Sequence, residues 1–305
     1  MSCLLHPPQA LKVELILDAK ASLGEGLCWD ARKAVLYWVD ILAHEVHIFD
    51  PSIPADSNQP QDQVIDVGQY VGAVVPRKSD GLLLAVHHGF AILDLKTEKL
   101  KIINDPESHL PNNRFNDGKC DPAGRFWAGT LDLGAKPAAG SLYCMDTDQT
   151  VRKALDNVTI SNGLAWSLDH STMYFIDTPT KQLSAYDYDI DTGHIGNQRV
   201  VITFPKNMGH PDGMTIDTEG MLWVALYGGS CVSRWDPSNG KLIQKISVPA
   251  TNVTNCTFGG PSLDRLYITT AREGLDEAAL GQQPHAGGLF CATPGVSGLP
   301  AVEFG

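Results

Sequence analysis

A turn built from Asp, Gly, Ser or Lys, followed by a short apolar-aromatic run, occurs six times along this chain. The copies read Ala34-Val-Leu-Tyr-Trp-Val-Asp40, Gly81-Leu-Leu-Leu-Ala-Val86, Gly124-Arg-Phe-Trp-Ala-Gly129, Thr172-Met-Tyr-Phe-Ile-Asp177, Gly220-Met-Leu-Trp-Val-Ala225 and Arg265-Leu-Tyr-Ile-Thr-Thr270. Tyr37, Leu83, Phe126, Tyr174, Leu222 and Tyr267 hold the matching position, at steps of 46, 43, 48, 48 and 45 residues. Further strand-like runs flank the copies, such as Gly26-Leu-Cys-Trp29 before the first and Val46-His-Ile-Phe-Asp50 after it. About four short antiparallel strands at a period near 45 residues is the pattern of a propeller blade, a unit that buries its faces only against its neighbours. Six such units predict an all-β fold, a six-bladed β-propeller.

The repeat runs across the polar, proline-containing stretch 51–63, which therefore reads as a rim loop rather than a linker. One domain over residues 1–305 is expected. The strand-like run near residues 11–18 lies ahead of the first unit and is expected to complete the last blade, closing the ring and removing exposed sheet edges. Amphipathic helix patterns are nearly absent, the best being Leu275-Asp-Glu-Ala-Ala-Leu280, one or two turns long.

Composition narrows the partners. Lys+Arg number 23 against Asp+Glu 35, a formal charge of −12, which repels phosphate backbones and argues against a nucleic-acid partner. No apolar run approaches the length needed to cross a bilayer, so no membrane partner is expected. The amino-terminal residues carry no basic stretch followed by an apolar one, as a secretion signal would. Seven scattered cysteines with no C-x-x-C pair read as reduced core thiols, pointing to a cytoplasmic location.

The chemistry is expected where inner strands begin. In a propeller the first strand of each blade lines the central channel, so a residue repeated at its start meets its counterparts from other blades. The residue before the first-strand Gly is Glu25, Asn162 and Asp212 in three units; a fourth offers Asn116 or Asp117, and the sixth reads Thr254-Asn255-Cys256 without such a Gly. Asn-Gly and Asp-Gly alone are commonly turns. At a shared repeat phase they point to a metal site instead. Carboxylates and amides crowded into one channel call for a cation, and hard oxygens suit Ca²⁺, Mg²⁺ or Mn²⁺, with Zn²⁺ also accepted. A dication held by three protein oxygens keeps open positions, polarises a carbonyl and acidifies water, which suits hydrolysis of an activated acyl group. No Gly-x-Ser-x-Gly elbow offers a serine nucleophile. Arg114 lies on the run entering the same channel end, and its donor fork suits polyhydroxylated or anionic oxygens; the alternative for it is a solvated surface pair. His87, His88 and His210 read as turn or packing residues.

Several phrases carry a resemblance: Asn112-Asn-Arg-Phe-Asn-Asp-Gly-Lys119, Ser161-Asn-Gly-Leu-Ala-Trp-Ser167, Tyr186-Asp-Tyr-Asp189, Pro211-Asp-Gly-Met214 and Phe258-Gly-Gly260. Over residues 23–288 the chain resembles the senescence marker protein/regucalcin/gluconolactonase family. That resemblance implies a propeller with one divalent metal that hydrolyses lactones of sugar acids. Its metal ligands fall on Glu25, Asn162 and Asp212, its substrate-binding residues on Arg114 and Asn116, and its general base on Asp212. After Ala128-Gly-Thr130 the chain departs from animal members, reading Leu131-Asp-Leu-Gly134, so that only Asp132 stands where they carry a substrate-touching Glu. The alternatives are a calcium-binding regulatory protein of the regucalcin type without physiological catalysis, or a lactonase or esterase acting on non-sugar esters.

Overall fold

A computed structural model describes residues 12–305. Among them are six four-stranded antiparallel sheets arranged as a six-bladed β-propeller. The inner strands are β2 (Gly24–Asp30), β6 (Val71–Pro76), β10 (Asn113–Cys120), β14 (Ser161–Trp166), β18 (His210–Ile216) and β22 (Asn252–Gly259). Each packs against the next, and β22 returns to β2. All six repeat copies form the second strands of their blades, as their spacing predicts. The sixth blade takes its outermost strand from the other end of the chain: β1 (Val13–Leu17) pairs with β24 (Leu289–Ala292). Leu11 lies outside the described residues, as does Cys3.

The apolar repeat follows from how blades stack. Strand side chains alternate between faces, and both faces of a blade meet a neighbour, so second strands are apolar throughout. In Leu82–Val86, Leu82, Leu84 and Val86 pack towards the first blade, while Leu83 and Ala85 pack towards Phe115 and Phe126 of the third. Six separate apolar clusters result, one per blade interface. The fourth strands face solvent on the rim, as in Lys99–Asn104 and Lys241–Ser247.

The turns between first and second strands are tied down by buried aspartates. Asp121 accepts from the Trp127 indole (2.9 Å), the Tyr188 hydroxyl (2.7 Å) and Arg125 (3.2 Å). Asp217 does the same for Trp223 (2.8 Å) and Arg234 (2.8 Å). These turns share one face of the disc. Residues 297–305 cross that face as a strap, hydrogen-bonded to Thr218 and Leu263 at one side and to Pro76, Lys78 and Gly124 at the other. An Arg32–Glu303 ion pair and the buried Phe304 ring hold its end.

Two expectations shift at their edges. The rim loop stops at Gln61, because Asp62 and Gln63 already belong to the outer strand Asp62–Asp66. The short helix runs Glu277–Gln282, two residues later than its apolar pattern suggests, because Asp276 caps it by accepting from the Ala279 amide. The six described cysteines are free, and all lie in strands.

Candidate active site

At the opposite face, where inner strands begin, every blade carries an irregularity at the same place. Pairing with the second strand slips between Glu25 and Cys28, Val71 and Ala73, Phe115 and Gly118, Ser161 and Leu164, Pro211 and Met214, and Val253 and Asn255. A bulge re-aims the side chains around it. Asn116, Asp117, Asn162, Asp212 and Thr254 occupy these bulges and Glu25 borders one, and all are buried. Two glycines show why the phrase ends as it does. A Cβ on Gly72 would lie 2.2 Å from the Asn116 carbonyl oxygen, and one on Gly213 would lie 2.4 Å from the Asn255 side chain. Backbone and side chains of adjacent bulges thus close into a ring.

Hydrogen bonds join that ring across blades. The Asn255 amide donates to Glu25 Oε2 (2.9 Å), although 230 residues separate them. Asn116 Nδ2 donates to the Ser161 carbonyl (2.8 Å) and to Asn162 Oδ1 (3.1 Å). Arg114 Nη1 donates to Asn116 Oδ1 (2.8 Å) and to the Phe115 carbonyl (2.9 Å). Rather than a solvated surface residue, Arg114 is 7% exposed, and its Nε has no hydrogen-bond partner. Its guanidinium lies 6.0 Å from the Tyr70 ring. Burial lowers its pKa to about 10, with Glu273, Glu25, Tyr70 and Asp212 acting the other way, so it stays charged at neutral pH.

Three carboxylates share this space without enough positive charge. Burial, then the charge of Asp117, pushes Glu25 up to about 8. Asp212 is raised well above the carboxylate range by burial, then by Glu25 and Asp117. Asp117 is raised by burial but has a counterion of its own in Lys119, whose Nζ donates to the Met214 carbonyl (2.6 Å). Glu25 and Asp212 have no such lysine. Among the described residues no three His, Cys, Asp or Glu form a metal-ligand group; the donors gathered here are carboxylates and amides. Two buried, uncompensated carboxylates beside an amide oxygen fit a hard divalent cation, which would remove the penalty that raises their pKa values.

Several supporting residues carry no repeated sequence signal. Glu107 is buried and accepts from Asn113 (2.9 Å), Thr130 (3.1 Å) and Tyr143 (3.0 Å), fixing the strand start that holds Arg114. Glu273, exposed just beyond the end of the sixth blade's second strand, lies within electrostatic reach of Arg114 and Asp212. Asp132 turns back on its own loop, accepting from the Gly134 amide (2.9 Å). His87 meets the Pro111 carbonyl at 3.1 Å, and His210 is exposed.

The family model described as "SMP-30/Gluconolactonase/LRE-like region" matches residues 23–272, a span that includes every inner-strand residue above. The chain belongs to this family. YvrE of Bacillus subtilis (strain 168), provisionally named a sugar lactone lactonase, is 44% identical over 94% of this chain and 96% of its own. Regucalcin of Gallus gallus is 42% identical over 97% and 99%. A solved Agrobacterium tumefaciens structure, described as a calcium-binding protein, regucalcin, superposes with a TM-score of 0.91 at 30% identity, covering 97% of this chain and 98% of that one. Membership in the SMP-30/gluconolactonase family supports a lactonase-type activity.

Proposed function

We propose that this SMP-30/gluconolactonase family member is a divalent-metal-dependent hydrolase that opens the lactone ring of sugar acids to the free aldonate. The observation that carries the reading is one end of the channel holding two buried carboxylates, Glu25 and Asp212, against the single positive charge of a buried Arg114 whose Nε is unpartnered. Glu25, Asn162 and Asp212 would hold the cation, Ca²⁺, Mn²⁺, Mg²⁺ or Zn²⁺; when bound, it supplies the positive charge that stabilises a developing oxyanion and keeps both carboxylates ionised.

The chain's own groups do the rest. Arg114, with Nη1 committed to Asn116 and the Phe115 carbonyl, offers its Nη2 donors to sugar hydroxyls, orienting the ring. Asn116 Oδ1 has one lone pair taken by Arg114 and accepts from a hydroxyl with the other. Asp212 takes a proton from water as the water oxygen attacks the lactone carbonyl carbon. Collapse of the tetrahedral adduct breaks the ring C–O bond, and the departing oxygen recovers the proton from Asp212. The product is the open hydroxy acid.

A pH-stat assay of chelator-stripped protein against gluconolactone, galactonolactone and arabinolactone, with each cation added in turn, tests the reading. Cation-restored hydrolysis is expected. Cation binding with no turnover of any lactone overturns it in favour of a calcium-binding regulatory role, the alternative favoured by relatives named regucalcin. The free, strand-embedded thiols support a cytoplasmic setting, and among the described residues no helix is long and apolar enough to cross a membrane.

A further inference from the structure

One hydrogen-bond chain through the site has a direction that chemistry fixes at both ends. Arg114 can only donate, and it gives Nη1 to Asn116 Oδ1. With its oxygen so engaged, Asn116 must present its amino group, which donates to Asn162 Oδ1. Asn162 Nδ2 then donates to Thr178 Oγ1 (2.8 Å). The Thr178 hydroxyl, having accepted, donates to the Pro211 carbonyl (2.8 Å), a group that can only accept. Reversing any member would set two donors or two oxygens against each other. Thr178 belongs to the short 3-10 turn Thr178–Thr180 that follows the second strand of the fourth blade, and it is buried. Its hydroxyl therefore bridges the inner strand bearing Asn162 and the backbone next to Asp212.

We infer that Thr178 is a positioning residue: its hydroxyl locks the Asn162 amide with Oδ1 as the cation-facing atom and ties it to the strand segment that carries Asp212. This rests on the reading of Glu25, Asn162 and Asp212 as the cation site. A valine keeps the shape of threonine but removes both hydrogen bonds, leaving Asn162 Nδ2 unpartnered and the amide free to turn. A serine keeps both bonds.

The test uses the full chain as wild type, Thr178→Val, Thr178→Ser and Asn162→Ala, each stripped with chelator and titrated with Ca²⁺ and with Mn²⁺ by calorimetry. Loss of an outer partner to a metal ligand lowers affinity about 10- to 100-fold, and that loss is expected for Thr178→Val. Thr178→Ser is expected within about threefold of wild type, and Thr178→Val added to Asn162→Ala should cost nothing further. The metal-free valine variant should melt a few degrees below wild type, because two buried hydrogen bonds are lost, and the upward shift caused by the cation should shrink as well. If the valine variant does not fold, Thr178→Ala takes its place in the same titration. Wild-type affinity in the valine or alanine variant overturns the inference and leaves the site reading standing. Wild-type protein that binds neither cation overturns both.

Discussion

The two ends of the central channel are built from the same six strands and differ in almost everything else. At their starts the strands bulge, and carboxylates, amides and a guanidinium crowd together with raised carboxyl pKa values and an unpartnered nitrogen. At their finishes they pair regularly, and residues such as Val74, Cys120, Trp166 and Ile216 line a cavity of about 380 Å³ beneath Leu299 and Val302 of the C-terminal strap. The cavity is lined largely by apolar residues and, although Ser167, His170 and Lys119 reach it, it carries no carboxylate, so the proposed cation donors all lie at the other end. Shape and reactivity are separated along one strand. One end stores electrostatic penalty that a ligand can relieve; the other contributes the packing that holds six blades in register.

Changes at the two ends should therefore separate in what they alter. The largest effect is expected from Asp212→Ala, which removes the proposed cation donor and proposed proton acceptor together: lactone hydrolysis should fall by at least about 10³-fold, the range for loss of a central catalytic group, and tight cation binding should disappear. Near-wild-type turnover in a lactonase assay would break the comparison outright. Next, Phe304→Ala at the strap empties a buried aromatic site and should cost about 3–5 kcal/mol of stability. Urea unfolding should show that loss, while kcat/KM below the transition stays within about twofold.

A third, smaller effect concerns pH. Folding raises Glu25 from its ordinary 4.5 to about 8 in the metal-free protein. Between those values the folded state holds more protons than the unfolded one, so stability is full below about 4.5 and declines as pH rises through about 8. A divalent cation, binding the ionised form, should flatten that decline, and its own affinity should rise over the same window. Denaturant midpoints from pH 5 to 9 with and without Ca²⁺ measure both trends; a metal-free midpoint that climbs with pH would contradict the assignment. The smallest change is expected at Asp132. Its carboxylate is committed to its own turn, so Asp132→Ala should move kcat/KM for gluconolactone by less than about threefold. A larger loss would show that this loop touches substrate after all.

Much of this was legible along the chain. The 43- to 48-residue period marks the second strands, and its phase singles out Glu25, Asn162 and Asp212 as residues on one ring of inner-strand starts. The run Asn112-Asn-Arg-Phe-Asn-Asp-Gly-Lys119 left Asn116 and Asp117 undecided, because adjacent residues in a strand point to opposite faces and a bulge overrides that alternation. The structure separates them: Asn116 joins Arg114 to Asn162, while Asp117 lies near Lys119. Thr178 and Glu107 stood out in no motif, and Asn255 appeared only in the sixth unit's Thr254-Asn255-Cys256 with no role attached, since each acts through partners that spacing along the chain does not bring together.

Sequence by itself determined what recurs: blade number, the apolar alternation of the second strands, and which polar residues share a repeat phase, because these follow from local spacing and from strand geometry. Only the tertiary structure decided which polar atoms meet, that Arg114 is buried with a nitrogen to spare, and that the strap closes the far end. Hydrogen-bond direction and desolvation depend on the few ångströms between neighbouring blades, and no spacing along a chain encodes those distances.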